Sequence, residues 1–357
     1  MIGAGIVGLA AAYTMQQRGL SVTVYESGQP GGAQSAGQSR LFRHAHDDTR
    51  MIELAIRARG IWSRWEREFG IELISPDGAV MLGDAVSRRL SELGRFELDA
   101  RRIDSRELAQ RIPVLAPYDG PAMLDPDGGS IRTRAAITAL LERLSAAIVP
   151  EQVISIDQSG EGVAVLSATG CRRFRTAVIC AGRGGPALAG TVGLSIPVSV
   201  SAHTRVSFRV RGAAPPRLAG LQDGGALLPS GWAYATAYPD RRTYALGLGS
   251  VELSDDDTSL DGKAVGELVD HAAEYAARAL PGLDPSPAGF VHCWVTRLPW
   301  GDDGIGIWQA DDVFVLAGNN MFKHAPALGA VLADCVGDGA VPQAFRPEAA
   351  LGAAATS

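Results

Sequence analysis

Three glycines open the chain at the spacing Gly3-x-Gly5-x-x-Gly8, and an acidic residue, Glu26, ends the next β-branched run. Glycines in this pattern let a strand turn tightly into a helix, let backbone approach a pyrophosphate, and let helix and strand pack closely. The helix N-terminus then offers amides and a partial positive charge to the phosphates. The Glu26 carboxylate suits both hydroxyls of an adenosine ribose and repels a 2′-phosphate, which disfavours NADP. Spacing alone leaves NAD and FAD both open. Further along, His44 and His46 precede Asp47 and Asp48. That cluster has the residue types of a metal site, but acids directly before a helical pattern read better as a cap, so no metal is expected.

These side chains need elements to hold them. The pattern over Met1–Glu26 predicts a strand, the glycine turn, a helix over Leu9–Arg18 and a strand over Ser21–Tyr25, which is one βαβ unit. The first strand has only Met1 and Ile2 before the turn and reads as clipped by a late start. Ser27–Ser39 is a loop, and helical periodicity resumes over Asp48–Phe69. Strands are predicted over Gly78–Leu82, Val163–Ser167, Val198–Val210 and Thr243–Leu248, and helices over Ser87–Arg95, Ser105–Arg111 and Arg134–Ala146. The β-rich block from about 197 to 250 has the character of an antiparallel sheet in a second domain. Trp232, Tyr234, Tyr238 and Tyr244 cluster there, either as a cage for a cationic amine or as ordinary sheet packing. A strand over Asp312–Leu316, a turn and a helix over His324–Val336 return to the first domain, and Leu351–Ser357 is expected to fray.

Composition narrows the function. The 357 residues are 46% hydrophobic and carry 33 basic and 39 acidic side chains, net charge −6. A chain of this length forms two domains, or one large α/β body with an inserted sheet, around a full core; it is not a disulfide scaffold, and disorder is expected only at the tail. There is no basic footprint for nucleic acid and no run of about 18 apolar residues for a membrane span. Cys171, Cys180, Cys293 and Cys335 fit neither a metal pair nor a secreted framework, so a cytoplasmic location is expected. The uncharged first residues lack the basic leader of a signal sequence. Small-molecule chemistry is the remaining class.

Further segments complete a pattern. Thr176–Arg183 reads as a strand ending in Cys180-Ala181-Gly182, and Val313–Lys323 as a strand ending in Gly318-Asn-Asn320-Met321-Phe-Lys323. With the loop Ser35-Ala-Gly-Gln-Ser39-Arg40-Leu-Phe-Arg43-His44, their order resembles the D-amino-acid-oxidase superfamily of FAD-dependent flavoproteins, nearest the sarcosine oxidase and N-methyltryptophan oxidase branch. The resemblance runs from Gly3 to about Val336. It implies a fold of α/β (α+β) class, a Rossmann-like FAD-binding domain from 1–80, 135–190 and 290–345, and an antiparallel-sheet substrate domain from 81–134 and 191–289.

The resemblance also implies roles. Gly3, Gly5, Gly8, Glu26, Ser39, Arg40, Val153, Ala181, Gly182, Cys293, Gly318, Asn320, Met321 and Lys323 would bind FAD, with Arg40 against the ring. Arg43 and Lys323 would hold the substrate carboxylate, a guanidinium and an ammonium sharing charge-assisted bonds, and Tyr234 and Tyr244 would face the substrate. Cys293-Trp-Val-Thr296 is similar to the stretch whose cysteine is tethered to the flavin in that branch. One departure matters. Gly247, in Tyr244-Ala-Leu-Gly247-Leu-Gly249, stands where oxygen-reducing members place a lysine, with Lys263 and His203 as the conceivable substitutes.

The implied activity is oxidation of the C–N bond of an amino acid or N-substituted amino acid to an imine with peroxide formation, by a monomer or homodimer. Two alternatives stand beside it. One is an FAD-dependent dehydrogenase of an amine or 2-hydroxy acid with a non-oxygen acceptor; the other is a flavin-binding subunit of a multi-protein assembly. An NAD-binding protein with an unrelated second domain is a third.

Overall fold

The computed structural model describes residues 1–158, 161–228, 231–252 and 262–353. At its centre Ile2 bridges in parallel to Tyr25 on one side and Ile179 on the other. Val24–Tyr25 pairs in parallel with Ile148–Val149, and Ala177–Ile179 in parallel with Val313–Gly318, whose far edge takes Ile305–Ala310 antiparallel. These short strands are almost wholly apolar because the sheet is covered on both faces. Alternation divides them: Phe314 and Leu316 join the helices Ile6–Gln17, Thr133–Leu144 and Ala325–Asp338. Val313, Val315 and Ala317 point the opposite way, onto the three-stranded meander Val153–Asp157, Val163–Ser167, Gly170–Phe174 and the helix Gly185–Gly190.

The first helix begins at Ile6, ahead of the Leu9 expected from periodicity, because extended Gly5 leads directly into it. Gly8 therefore lies in its first turn, where a Cβ would collide with the Gly3 carbonyl oxygen. The strand before Glu26 shrinks to Val24–Tyr25. The long helix Thr49–Phe69 is capped as its sequence requires: Asp48 accepts from Arg50 N at 2.9 Å, and Gly70 closes it in the left-handed conformation at φ 69°.

The second sheet is larger than the block at 197–250. Its order is Val251–Glu252, Ser199–Val210, Thr243–Gly247, Trp232–Ala237, Gly220–Gly224, Ala79–Leu82, Ala122–Asp125 and Arg101–Arg102, while Leu283–Arg297 pairs along Ser199–Val210. All neighbours are antiparallel except Gly220–Gly224 with Ala79–Leu82. Helix Gly262–Ala279 covers the outer face through Ala272, Tyr275, Ala276 and Ala279. The divisions drawn from sequence at 80/81 and 289/290 fall inside two strands of this sheet, since apolar alternation does not mark which sheet a strand joins. Ser39–Phe42 pairs with Gly129–Arg132 where the two halves meet.

The C-terminal stretch expected to fray is anchored at its start. Leu351 is buried, its carbonyl accepts from Trp300 Nε1 at 3.0 Å, and Gly352 N donates to Asp48 Oδ2 at 2.9 Å. Its last residues, 354–357, lie outside the described residues.

The first helix and the C-terminal helix touch backbone to backbone at Gly329, where an added Cβ would sit 2.7 Å from Ala10 C. Gly329→Ala must push the helices apart and is expected to cost about 1–3 kcal/mol, read as a lower midpoint in urea unfolding. An unchanged midpoint would show that this contact has slack.

Candidate functional site

One cavity of about 980 Å³ runs between the two sheets, from Glu26 and Ser27 at one end to Trp232 and Tyr234 at the other. That is the upper end of the range for small-molecule sites. At the first end, Glu26 accepts from Ala4 N through Oε2 and from Gly28 N through Oε1, both at 2.8 Å. Each oxygen keeps a lone pair for a ligand hydroxyl. Gly3 and Gly5 line the wall, and Gly8 sits behind it as a packing residue. Ser35, not singled out from sequence, accepts from Ile6 N at 3.1 Å and brings a hydroxyl to the helix start. Only folding of the Ser27–Ser39 loop over the turn reveals it.

Val153, Ala181, Gly182, Gly318, Asn320 and Met321 all line the same cavity. Their elements are tied across it by Gln34, whose Oε1 accepts from Arg183 N at 3.0 Å and whose Nε2 donates to Thr296 Oγ1 at 3.3 Å. Thr296 in turn donates to Gly318 O at 2.9 Å. Ser39 departs from expectation. Its hydroxyl turns away to Thr236 Oγ1 at 2.8 Å, and only its carbonyl faces the arginines. The antiparallel pairing of Ser39–Phe42 with Gly129–Arg132 fixes that direction, because alternate side chains leave opposite faces.

The charged end gathers around Asp303, which sequence analysis did not identify. Arg43 Nη2 lies 3.6 Å from Asp303 Oδ2, His46 Nδ1 lies 2.9 Å from the same oxygen, and Asn320 Nδ2 donates to Oδ1 at 2.6 Å. Asn320 reaches it from a left-handed conformation, φ 52°, which asparagine tolerates better than most residues. Lys323, 6% exposed, donates to Asn320 O at 3.4 Å, and its own carbonyl accepts from Trp62 Nε1 at 2.9 Å.

Burial pushes the Asp303 carboxyl up, but Lys323, His46 and Arg43 outweigh it and hold it well below the usual range. Burial lowers Lys323 to about 8, with Asp303 resisting and Arg43 assisting. His46 falls to about 3 through burial and the charges of Arg43 and Lys323, so it is neutral. His44 instead pairs with Asp125 at 3.0 Å. Each histidine of the expected cap thus has a carboxylate partner distant in sequence, and Asp48 does the capping.

The inner face of the larger sheet closes the cavity. Arg205 and His203 face it from one strand, Tyr234 and Trp232 from another and Cys293 from a third. His203 Nε2 lies 2.9 Å from Tyr234 Oη, and burial lowers this imidazole to about 4. Tyr244 is a correction. It is fully buried on the opposite face, donating to Ala219 O at 2.6 Å, because strand alternation that turns Gly247 toward Tyr234 turns Tyr244 into the core. Tyr238 does not line the cavity either, so the expected aromatic cluster reduces to Trp232 and Tyr234, whose ring centroids are 5.3 Å apart; Trp294 also lines the cavity.

Gly247 carries no lysine, and the Tyr234 ring occupies its face, 2.5 Å from where a Cβ would be. The side chain of Lys263 lies outside the described residues. Cys293 is buried and uncharged, its thiol pushed up by burial against the opposing charge of Arg205. Arg40 lines the cavity, donating to the carbonyls of Gln34, Ala36 and Ser39.

A ribose-binding carboxylate, a helix start with a hydroxyl and glycines, and a distal end rich in buried cations and aromatic rings fit an elongated dinucleotide whose ring reaches the charged end. Among the described lining residues, Tyr25 Oη, Arg205 Nε and His292 Nε2 are buried polar atoms without a protein partner. The model of the family described as FAD dependent oxidoreductase matches residues 1–335. N-methyl-L-tryptophan oxidase of Salmonella newport (strain SL254) is 30% identical over 194 residues, 51% of this chain and 52% of that protein. The chain thus spans about half the length of the curated relatives it matches. Among solved structures, a mutant of NikD, an unusual amino acid oxidase essential for nikkomycin biosynthesis, superposes with TM-score 0.84 at 21% identity, covering 97% of this chain and 95% of that one. L-proline dehydrogenase from P. horikoshii gives TM-score 0.83 at 19% identity, with coverage of 97% and 95%. These two likenesses show the fold.

The lowered ammonium sets a pH window. Lys323 loses its positive charge as pH rises through about 8, so a small carboxylate ligand should bind progressively more weakly from pH 7 to 9.5. Lys323→Arg should abolish that break, since a guanidinium stays charged throughout. Affinity that is flat with pH in the parent would exclude Lys323 from anion binding.

Proposed function

The chain belongs to the FAD dependent oxidoreductase family, and from that premise we propose that it oxidises the C–N bond of an amino acid or N-substituted amino acid, delivering electrons to oxygen. The observation carrying this reading is that Arg43 and Lys323 meet around Asp303 at the end of the dinucleotide cavity that also holds Tyr234 and Trp232. An amino acid needs its carboxylate fixed and its amine left free beside the ring. Two cations on rigid backbone, one of them anchored through Trp62, provide the first.

FAD would be held by the Gly3–Gly8 turn with Ser35, by Glu26, and by the wall residues Val153, Ala181, Gly182, Gly318, Asn320 and Met321, with Arg40 near the ring. When bound, FAD supplies the ring that takes up two electrons and the hydrogen from the substrate carbon. Arg43 and Lys323 orient the substrate by its carboxylate. Desolvation in the closed cavity lowers the amine pKa and favours the neutral, reactive form. Loss of two electrons and two protons from the carbon and nitrogen leaves an imine, which water hydrolyses. His203 and Tyr234 are both neutral in the working range and shape the wall as a hydrogen-bonded pair.

A second reading, a dehydrogenase with another acceptor, is favoured by Gly247, which leaves that strand without a lysine. Peroxide released in step with amino-acid consumption supports the oxidase; turnover that needs an artificial acceptor supports the dehydrogenase. In either case Arg43→Met should raise KM for carboxylated substrates at least tenfold, as loss of a charge-assisted bond of about 1.5–3 kcal/mol requires, and leave uncharged amines nearly unaffected. Equal effects on both would reject the clamp. We also propose a thioether from Cys293 to a flavin methyl carbon, since the thiol lies in the cavity wall: S–H and one methyl C–H would break as C–S forms, and the two electrons would leave through the ring to oxygen. Acid precipitation should then leave yellow pigment in the pellet, and Cys293→Ser should release it to the supernatant; pigment in the parent's supernatant means no tether.

A further inference from the structure

The cavity wall holds a further cation that the clamp does not use, Arg205. Arg205 is 4% exposed, yet among the described residues no carboxylate pairs with it. Its Nη1 donates to Ser39 O at 3.2 Å and its Nη2 to Ala36 O at 2.7 Å, while Nε has no hydrogen-bond partner. Arg40 donates to the same two carbonyls, at 3.2 and 2.6 Å. Two guanidiniums therefore converge on one turn. Gly37 makes room for them: at φ 115°, a Cβ there would lie 2.8 Å from Arg205 Nη2 and 2.9 Å from Arg40 Nη1.

Carbonyl dipoles satisfy hydrogen bonds but do not neutralise two charges. A buried cation without a counter-ion is costly, and two side by side repel. Such a doublet persists where an anion completes it. Register shows which part of the cavity it serves. Arg205 is paired across strands with Gly247, and Gly247 with Tyr234, so the three positions form one row on the cavity face. The charge of Arg205 bears on both the Cys293 thiol and the Tyr234 phenol, opposing the upward push of burial. The doublet thus addresses the ring end of the cavity, opposite Glu26.

We propose that Arg205, with Arg40 beside it, is the fixed cation that stabilises the negative charge a flavin ring takes up on reduction. The inference rests on the flavin reading of the cavity. An oxidised ring that accepts two electrons and one proton becomes an anion, and a pre-oriented cation in a dry wall favours that state. Electrons come from the substrate and leave to the acceptor, so Arg205 gains and loses nothing.

The test uses flavin-loaded parent, Arg205→Gln and Arg205→Lys. Sulfite serves as the probe, because its lone pair forms a bond to the ring and leaves the negative charge there. Arg205→Gln keeps hydrogen bonding to the turn but not the charge. It should weaken sulfite binding at least tenfold and lower the two-electron potential by about 30 mV, the equivalent shift, while Arg205→Lys stays near the parent. Unchanged sulfite affinity in the glutamine variant, or equal losses in both, would overturn the proposal in favour of a structural brace. A higher KM for carboxylated substrates at unchanged potential would overturn it in favour of substrate binding. Should Arg205→Gln fail to load flavin, Arg205→His decides: its potential must fall more steeply with rising pH than the parent's as the imidazole deprotonates, and parallel slopes overturn the idea. A parent that holds no flavin overturns the functional reading as well, whereas a loaded parent with indifferent variants removes only Arg205.

Discussion

Arg40, Arg43, Arg205 and Lys323 are held in the wall of one cavity, and the Asp303 carboxylate faces two of them, Arg43 and Lys323. Positive charge in a dry site is a constraint on everything around it. It forces Lys323 toward neutrality, keeps His46 uncharged and holds Asp303 ionised despite burial. It also creates an appetite for anions that no hydrogen bond to a carbonyl can meet.

Holding these cations apart yet close demands two independent scaffolds. The smaller sheet, buried on both faces, brings the glycine turn, the Ala181-Gly182 turn and the Gly318–Lys323 turn to one edge. The larger sheet presents alternate residues from three strands across the gap. Between them the loop around Arg40 is clamped from both sides, by Arg205 on one and by the strand pairing to Gly129–Arg132 on the other. The cavity is therefore an interface between two packed bodies, the place where ligands are best desolvated without either core being opened.

The same geometry divides labour among polar groups. Gln34 and Thr296 link three turns of the cofactor side through hydrogen bonds alone. Asp303, His46 and Asn320 form one hydrogen-bonded cluster beside Arg43 and Lys323. Trp62, on the long helix, fixes the backbone of Lys323, so a helix remote from the cavity still sets where its ammonium can reach.

How much of this was legible beforehand follows from range. Local patterns carried the glycine turn, the helix Ser105–Arg111, the capped helix after Asp48 and most strands, because turn chemistry, capping and period-2 or period-3.6 burial act within a few residues. The motif order also named the cavity-lining segments around Glu26, Ala181, Cys293 and Gly318. Periodicity does not show which of two tyrosines on neighbouring strands faces the cavity: Tyr234 lines it and Tyr244 lies in the core. Nor could it pair Arg205 with a loop some 166 residues away, His46 with Asp303 at 257, or Ser35 with the first helix. Those partners are chosen by sheet register and by the meeting of two bodies. By itself the amino-acid order determined what each segment could become; only tertiary packing decided which charges share one low-dielectric space, because electrostatic coupling depends on distance through the fold and not along the chain.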